Sequence, residues 1–258
     1  MSLIKEMKAD KLNVKIYSDR AAMGAAAAEE CSAVIRDLLA KKDEINMIFA
    51  AAPSQDEFLA ALAKDTRIDF TKINAFHMDE YIGLDAAAPQ GFGNFLRDRL
   101  FGVVPFKSVN YLNGNAADPE AEAERYSKLL ADNPTDIVCM GIGENGHIAF
   151  NDPPVADFND SKLVKIVELE HMCRNQQVND GCFKTIDEVP THALSLTVPS
   201  LVKPAYVFCM VPAPTKAQAV YDTINNKDIN EKCPATILRT HDNATLYLEP
   251  DSAKKILD

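Results

Sequence analysis

Three short stretches of this chain place polar groups directly after apolar runs, where they could act on a small molecule. In residues 141–153, Gly-Ile-Gly-Glu-Asn-Gly-His-Ile-Ala-Phe-Asn-Asp-Pro, three glycines flank His147 and a carboxylate, Asp152, follows five residues later. Asp79-Glu80-Tyr81 comes straight after the apolar run 73–78, and Lys216 follows the apolar run 205–211 across a proline-rich turn. A histidine titrates near neutrality and passes protons in both directions. A carboxylate held against a substrate can take its proton, and a lysine can hold an anion. Glycines 141, 143 and 146 allow close backbone approaches that side chains forbid. Each stretch also fits a plain role: a tight turn with a surface histidine, a loop-capping carboxylate, a solvated lysine.

Elements that would position these groups are legible as hydropathy patterns. Strands are expected at Leu12–Tyr17, 45–52, 73–78, 109–112, 136–140, 163–169, 193–198, 205–211 and Ala244–Leu248. Helices are expected from an N-cap at Ser18 to about residue 41, from a Ser54/Glu57 capping box through residue 62, and over 91–101 and 119–130. Shorter ones are expected around 174–178, from Lys216 to about 223, and over 251–257. This alternation predicts an α/β fold, a doubly wound, mostly parallel, Rossmann-like sheet with helices on both faces. No repeat or linker divides the chain, which predicts a single domain over residues 1–258. In such a sheet the carboxyl ends of the strands converge on one edge, where ligands bind.

Composition narrows the function classes. Apolar residues make up 47% and charged residues 25%, enough for a buried core, and the net charge of −11 disfavours nucleic acid and anionic membranes as partners. No apolar stretch approaches the roughly 20 residues that span a bilayer. Residues 1–11 carry three lysines and no apolar segment of the kind that directs secretion. The six cysteines lack metal-ligand spacing, and Cys139 and Cys209 fall inside apolar runs. Free thiols and a cytoplasmic location are the expectation.

Two longer motifs carry a family resemblance. Gly141-Ile-Gly-Glu-Asn-Gly-His147-Ile-Ala-Phe-Asn151-Asp152-Pro153 resembles the signature of the glucosamine-6-phosphate deaminase (isomerase) family, and His77-Met-Asp79-Glu80-Tyr-Ile-Gly-Leu84 is similar to its other central motif. Leu112-Asn-Gly-Asn-Ala116 and the strand-then-lysine arrangement at Lys216 agree with it, so that the resemblance covers most of the chain. It implies isomerisation of an aminosugar phosphate with loss of ammonia, giving fructose 6-phosphate from glucosamine 6-phosphate, with no metal and no cofactor. Asp79 matches the base that moves a proton between C2 and C1. His147 matches the acid/base of ring opening, supported by Asn145 and Asp152. Ser54, Glu80, Gly146, Arg174 and Lys216 are the expected substrate contacts, Lys216 and Arg174 as ligands of the phosphate. A homo-oligomer is compatible with the resemblance.

The chain departs from the family pattern in three places. Asn145 stands where an aspartate is usual, so it can orient a ring but not neutralise it, and Asp152 is one methylene shorter than the usual glutamate. The glycine-rich phosphate loop after the second strand is replaced by Ala51-Ala-Pro-Ser54-Gln-Asp-Glu57. Here proline removes a donor and two acids sit where an anion would dock. Ser54 is the position retained, with an N-cap role as its alternative. The alternative functions are a 6-phosphogluconolactonase-like hydrolase and a sugar-phosphate-binding paralogue without turnover. Phe150-Asn151-Asp152-Pro153 and Tyr81 favour the deaminase pattern over the lactonase. A carbon base paired with a ring-opening histidine favours turnover over binding alone.

Overall fold

The computed structural model describes residues 2–257. Its main sheet has eight strands in the order β1-β2-β11-β10-β7-β3-β4-β6. They are β1 (Leu3–Ala9), β2 (Leu12–Tyr17), β3 (Ile45–Phe49), β4 (Ile73–His77), β6 (Ser108–Asn110), β7 (Ile137–Met140), β10 (Tyr206–Met210) and β11 (Ala244–Leu248). Every pairing is parallel except β1 with β2. The central strands are apolar on both faces because helices cover both: Ile45, Met47, Ile48 and Phe49 of β3 and all of β7 are fully buried. Burial of this kind contributes about 2 kcal/mol per large side chain.

β1 has no counterpart among the expected strands. Its Lys5, Glu6 and Lys8 sit on an edge strand half open to water, so its polar alternation reads like a loop. A second difference concerns the strands expected at 163–169 and 193–198. They form β8 (Val164–Glu168) and β9 (His192–Leu196), which pair antiparallel with each other and with β5 (Asp79–Tyr81) in a separate three-stranded sheet. β5 begins two residues after β4 ends, so one continuous segment passes from the main sheet into the small one at Met78.

The helices differ from expectation mainly at their ends. α1 (Arg20–Leu39) is capped by Asp19, whose carboxylate accepts from the Ala22 N–H at 2.8 Å, while Ser18 donates to Asp19 instead of capping. α2 (Asp56–Ala63) follows a single 3-10 turn over Pro53–Gln55 and has no side-chain cap. The expected Ser54/Glu57 box is absent because Glu57 pairs with Arg20 at 2.6 Å. α3 (Phe92–Leu96) passes into a π-helical turn at Arg97–Phe101. α4 (Pro119–Asp132), α5 (His171–Asn179), α6 (Val198–Val202), α7 (Ala217–Asn225) and α8 (Pro250–Ala253) complete the set. No helix among the described residues is long and apolar enough to cross a membrane.

Candidate active site

The carboxyl ends of four neighbouring parallel strands, β10, β7, β3 and β4, open into one cavity. β3 supplies Ala50 to Gln55, β4 supplies Met78 and Asp79, β7 supplies Gly141 to Gly143, and β10 supplies Pro212, Ala213 and Lys216. Convergence of this kind follows from parallel strands sharing a direction. The small sheet fixes two of the parts against each other. Asp79 pairs with Ser195 of β9, whose hydroxyl accepts the Phe150 N–H at 3.1 Å, and Asn151 donates to the Leu196 carbonyl at 2.8 Å. The carboxylate of β5 and the loop of His147 are therefore braced by one strand.

Asp79 lines the cavity and is 7% exposed. Burial, and secondarily the charge of Glu80, push its carboxyl well above the usual carboxylate range, and no hydrogen bond from the described residues offsets them. The result is a carboxyl more basic than one in water, held on a strand end.

His147 is 7% exposed and also lines the cavity. Its Nδ1 lies 2.8 Å from Asn145 Oδ1 and 2.9 Å from Asp152 Oδ1. The Asn145 carboxamide is oriented by its own Nδ2, which donates to Asp152 at 2.8 Å and to Glu170 at 3.0 Å. Two oxygens thus face Nδ1 and hold the proton there, leaving Nε2 free to accept. Burial alone would raise the Asp152 carboxyl, but the charge and hydrogen bond of His147, with bonds from Asn145 and the Cys173 thiol, outweigh it and leave the carboxyl lowered.

Gly143 allows this ring position: a Cβ there would come within 2.1 Å of His147 Cε1. Gly146, at φ +83°, packs on Cys233, with a Cβ predicted 2.6 Å from its Sγ. It shapes the loop and does not line the cavity.

Asn145 bridges two carboxylates, which explains why an amide suits a position where the family pattern has an acid. Glu170, the residue preceding α5, supplies the second carboxylate, and nothing in the sequence singled it out. Asn145→Asp would set a third carboxylate against the other two. It is expected to lower stability by about 2 kcal/mol, the scale of an unmade buried bond, and to lower kcat/KM about tenfold; melting curves and steady-state kinetics at neutral pH would show both.

His147, Asp152 and Cys173 bring potential ligand atoms within 4.8 Å of one another. Burial, followed by the charge of Asp152, pushes the Cys173 thiol well up, and that thiol is hydrogen-bonded to Asp152. The three are arranged as hydrogen-bonded support for the ring.

The remaining expected contacts divide. Ser54 and Lys216 line the cavity, and Lys216 is 5% exposed. Glu80 does not: it points to the other side of β5 and accepts the N–H groups of Tyr81, Phe92 and Gly93, tying β5 to the start of α3. Burial pushes its carboxyl up in spite of those three bonds. Arg174 is also outside the cavity, its Nη2 donating to the carbonyls of Ile186 at 2.7 Å and Val189 at 2.8 Å. These two bonds fasten α5 to the segment after it and leave Arg174 Nε without a partner among the described residues. Asn145 and Asp152 stand behind the imidazole. Arg20, Gln55, Gln176, Gln177 and Asp180 line the cavity without having been expected there. Amides have no sequence signature, and α5 reaches the cavity only through tertiary packing.

A buried carboxyl held above its usual range, after β4, and an oriented imidazole, after β7, thus line one cavity at the carboxyl edge of a doubly wound sheet. Residues 18–247 match the family of glucosamine-6-phosphate isomerases and 6-phosphogluconolactonases, and the chain belongs to that family. Among its relatives is the glucosamine-6-phosphate deaminase of Listeria welshimeri, 34% identical over 211 residues covering 81% of this chain and 87% of that protein. That of Bacillus cereus is 31% identical over 219 residues, covering 85% and 81%. A monomeric glucosamine-6-phosphate deaminase of known structure superposes with a TM-score of 0.84 at 26% identity, covering 96% of this chain and 99% of that one. The 6-phosphogluconolactonase of Thermotoga maritima superposes at 0.73 over 92% and 98%, and at 18% identity that likeness speaks for the fold alone.

Proposed function

We propose that this chain isomerises an aldose aminosugar to the ketose with loss of ammonia. The observation that carries the proposal is the pairing in one cavity of a buried, basic Asp79 with a His147 whose tautomer is fixed. Asp79 takes the C2 proton and returns it to C1, giving the 2-imine, which adds water at C2 and expels ammonia to leave the ketose; the elevated affinity of its carboxylate for protons suits it to a weak carbon acid. Nε2 of His147 takes and returns the proton of the ring-opening step. Asn145 and Asp152 orient the ring, and Asp152 balances charge when the imidazole is protonated. The relatives are named for glucosamine 6-phosphate, whose products would be fructose 6-phosphate and ammonia. The chain would work without a metal or cofactor, in the cytoplasm.

Ammonia release assayed beside lactone hydrolysis tests the reading, with ammonia release the expected result and lactone hydrolysis alone the result that sinks it. The pH profile adds a second check. Asp79 must be ionised to act, so kcat/KM is expected to fall as pH falls, with a midpoint displaced above the usual carboxylate range.

A further inference from the structure

A second histidine stands two residues before Asp79. His77 is fully buried and does not line the cavity, so it cannot act on a substrate by contact. It closes β4, where the parallel pairing with β6 ends at Phe76 and Asn110. Beyond that pair the backbone of β4 is gripped by Tyr126 of α4. The His77 N–H donates to the phenol oxygen at 3.0 Å, and the hydroxyl in turn lies 2.9 Å from the His77 carbonyl.

The imidazole makes the next tie. Burial draws its pKa down to about 4, against the Asp79 carbonyl and the charge of Glu122, so the ring is neutral near neutral pH. Its Nε2 accepts the Leu112 N–H at 2.8 Å, which leaves the one ring proton on Nδ1. Nδ1 completes no hydrogen bond among the described residues, and the Asp79 carbonyl is the acceptor near enough to favour its proton.

Leu112 begins a turn that also meets the far end of β5. The Gly114 carbonyl accepts the Gly83 N–H at 2.9 Å, and a Cβ on Gly114 would lie 1.9 Å from the Tyr81 carbonyl oxygen. The Asn113 N–H donates to Glu122 at 2.7 Å, which anchors the turn to α4. β5 is therefore held along one edge by β9, through the Asp79–Ser195 pair, and at both ends by the turn 112–114. The tie nearest the carboxyl runs through the His77 imidazole. Without it the Leu112 N–H would be buried and unpaired, and the turn would have to move to satisfy it.

We infer that His77 is a positioning residue, whose neutral imidazole locks the turn 112–114 against the strand that presents Asp79 to the substrate. This rests on the deaminase reading, in which Asp79 is the carbon base.

The test measures ammonia release from glucosamine 6-phosphate by the wild type, His77→Phe, His77→Gln and His77→Asn, with circular dichroism and melting curves to count folded protein. Glutamine sets an amide oxygen where Nε2 stands, and asparagine sets one where Nδ1 stands, out of reach of Leu112. In His77→Phe, kcat per folded molecule is expected to fall on the order of 10²-fold, the scale of a ~1 Å misplacement, with KM within about threefold of the wild type. His77→Gln should recover at least about tenfold of that loss, and His77→Asn should not. A kcat in His77→Phe within about threefold of the wild type, or a loss carried by KM alone, overturns the inference. So does a glutamine variant no better than the asparagine one, and that comparison decides alone if His77→Phe does not fold. Failure of the wild type to release ammonia counts against the reaction instead. The inference is then decided by carbon-13 NMR titration of the Asp79 carboxyl in the wild type and in the Gln and Asn variants. A midpoint lowered in His77→Asn and kept in His77→Gln supports it, and one midpoint common to all three refutes it.

Discussion

Asp79→Asn is expected to reduce ammonia release about 10³-fold or more, the upper part of the range for loss of a positioned general base, and at the same time to raise the melting temperature. The two effects have one origin. The folded-state pKa of Asp79 is raised, so below the unfolded value both states hold the proton and the group is neutral in its effect on stability. As pH rises past the unfolded value toward the folded one, the folded state resists ionisation and stability is lost. At pH 7 and above the wild type therefore carries a penalty that an amide of the same shape removes. For a chain of this length each kcal/mol recovered raises the melting temperature by roughly 2–4 °C. The gain should vanish near pH 3. Thermal melts of both proteins at pH 3, 5 and 8, beside activity assays, separate this from general damage: a variant that melts lower at pH 8 would mean that the carboxylate stabilises the fold and is not strained by it.

Gly143→Ala is the second large effect. Its φ is ordinary for an L residue, so the backbone tolerates alanine, but the new Cβ would lie 2.1 Å from His147 Cε1 and 2.2 Å from Nε2. Something must yield, and the lightest object in contact is the imidazole, held by hydrogen bonds at Nδ1 alone. A displacement on the order of 1 Å in a preorganised site costs about 10²-fold in rate. Circular dichroism should be unchanged and kcat should fall by that amount, whereas Gly141→Ala, whose nearest obstruction is the Gln55 amide nitrogen at 3.2 Å, should lose much less. Equal losses in the two variants would show that the loop, and not the ring, is what the methyl group disturbs.

Much of this architecture is written in local patterns. β3, β4, β7 and β10 read as strands because a parallel sheet covered on both sides makes them apolar without alternation, and three of the groups that follow them, Asp79, His147 and Lys216, reach the same cavity. What local patterns do not encode is partnership. β8 and β9 alternate as any half-buried strand does, and nothing in that alternation says which sheet receives them. Arg174 looks like a free cation until the carbonyls of Ile186 and Val189 are set beside it. Glu80 looks like a second site carboxylate until period-two alternation on β5 turns it away from Asp79. Gln176 and Asp180 have the converse history: ordinary residues of a polar stretch, they become cavity wall because α5 packs where it does.

The seclusion of the Asp79 carboxyl also bears on isotopes. A proton lifted from C2 arrives on a group that is 7% exposed, so its fate depends on whether C1 or the solvent is reached first. Sugar labelled with deuterium at C2 is therefore expected to yield ketose that retains part of the label at C1 even in ordinary water, and mass spectrometry of the product at low conversion would measure the fraction retained. In that sense the depth of one carboxyl below the surface sets how faithfully the enzyme remembers the hydrogen it moved.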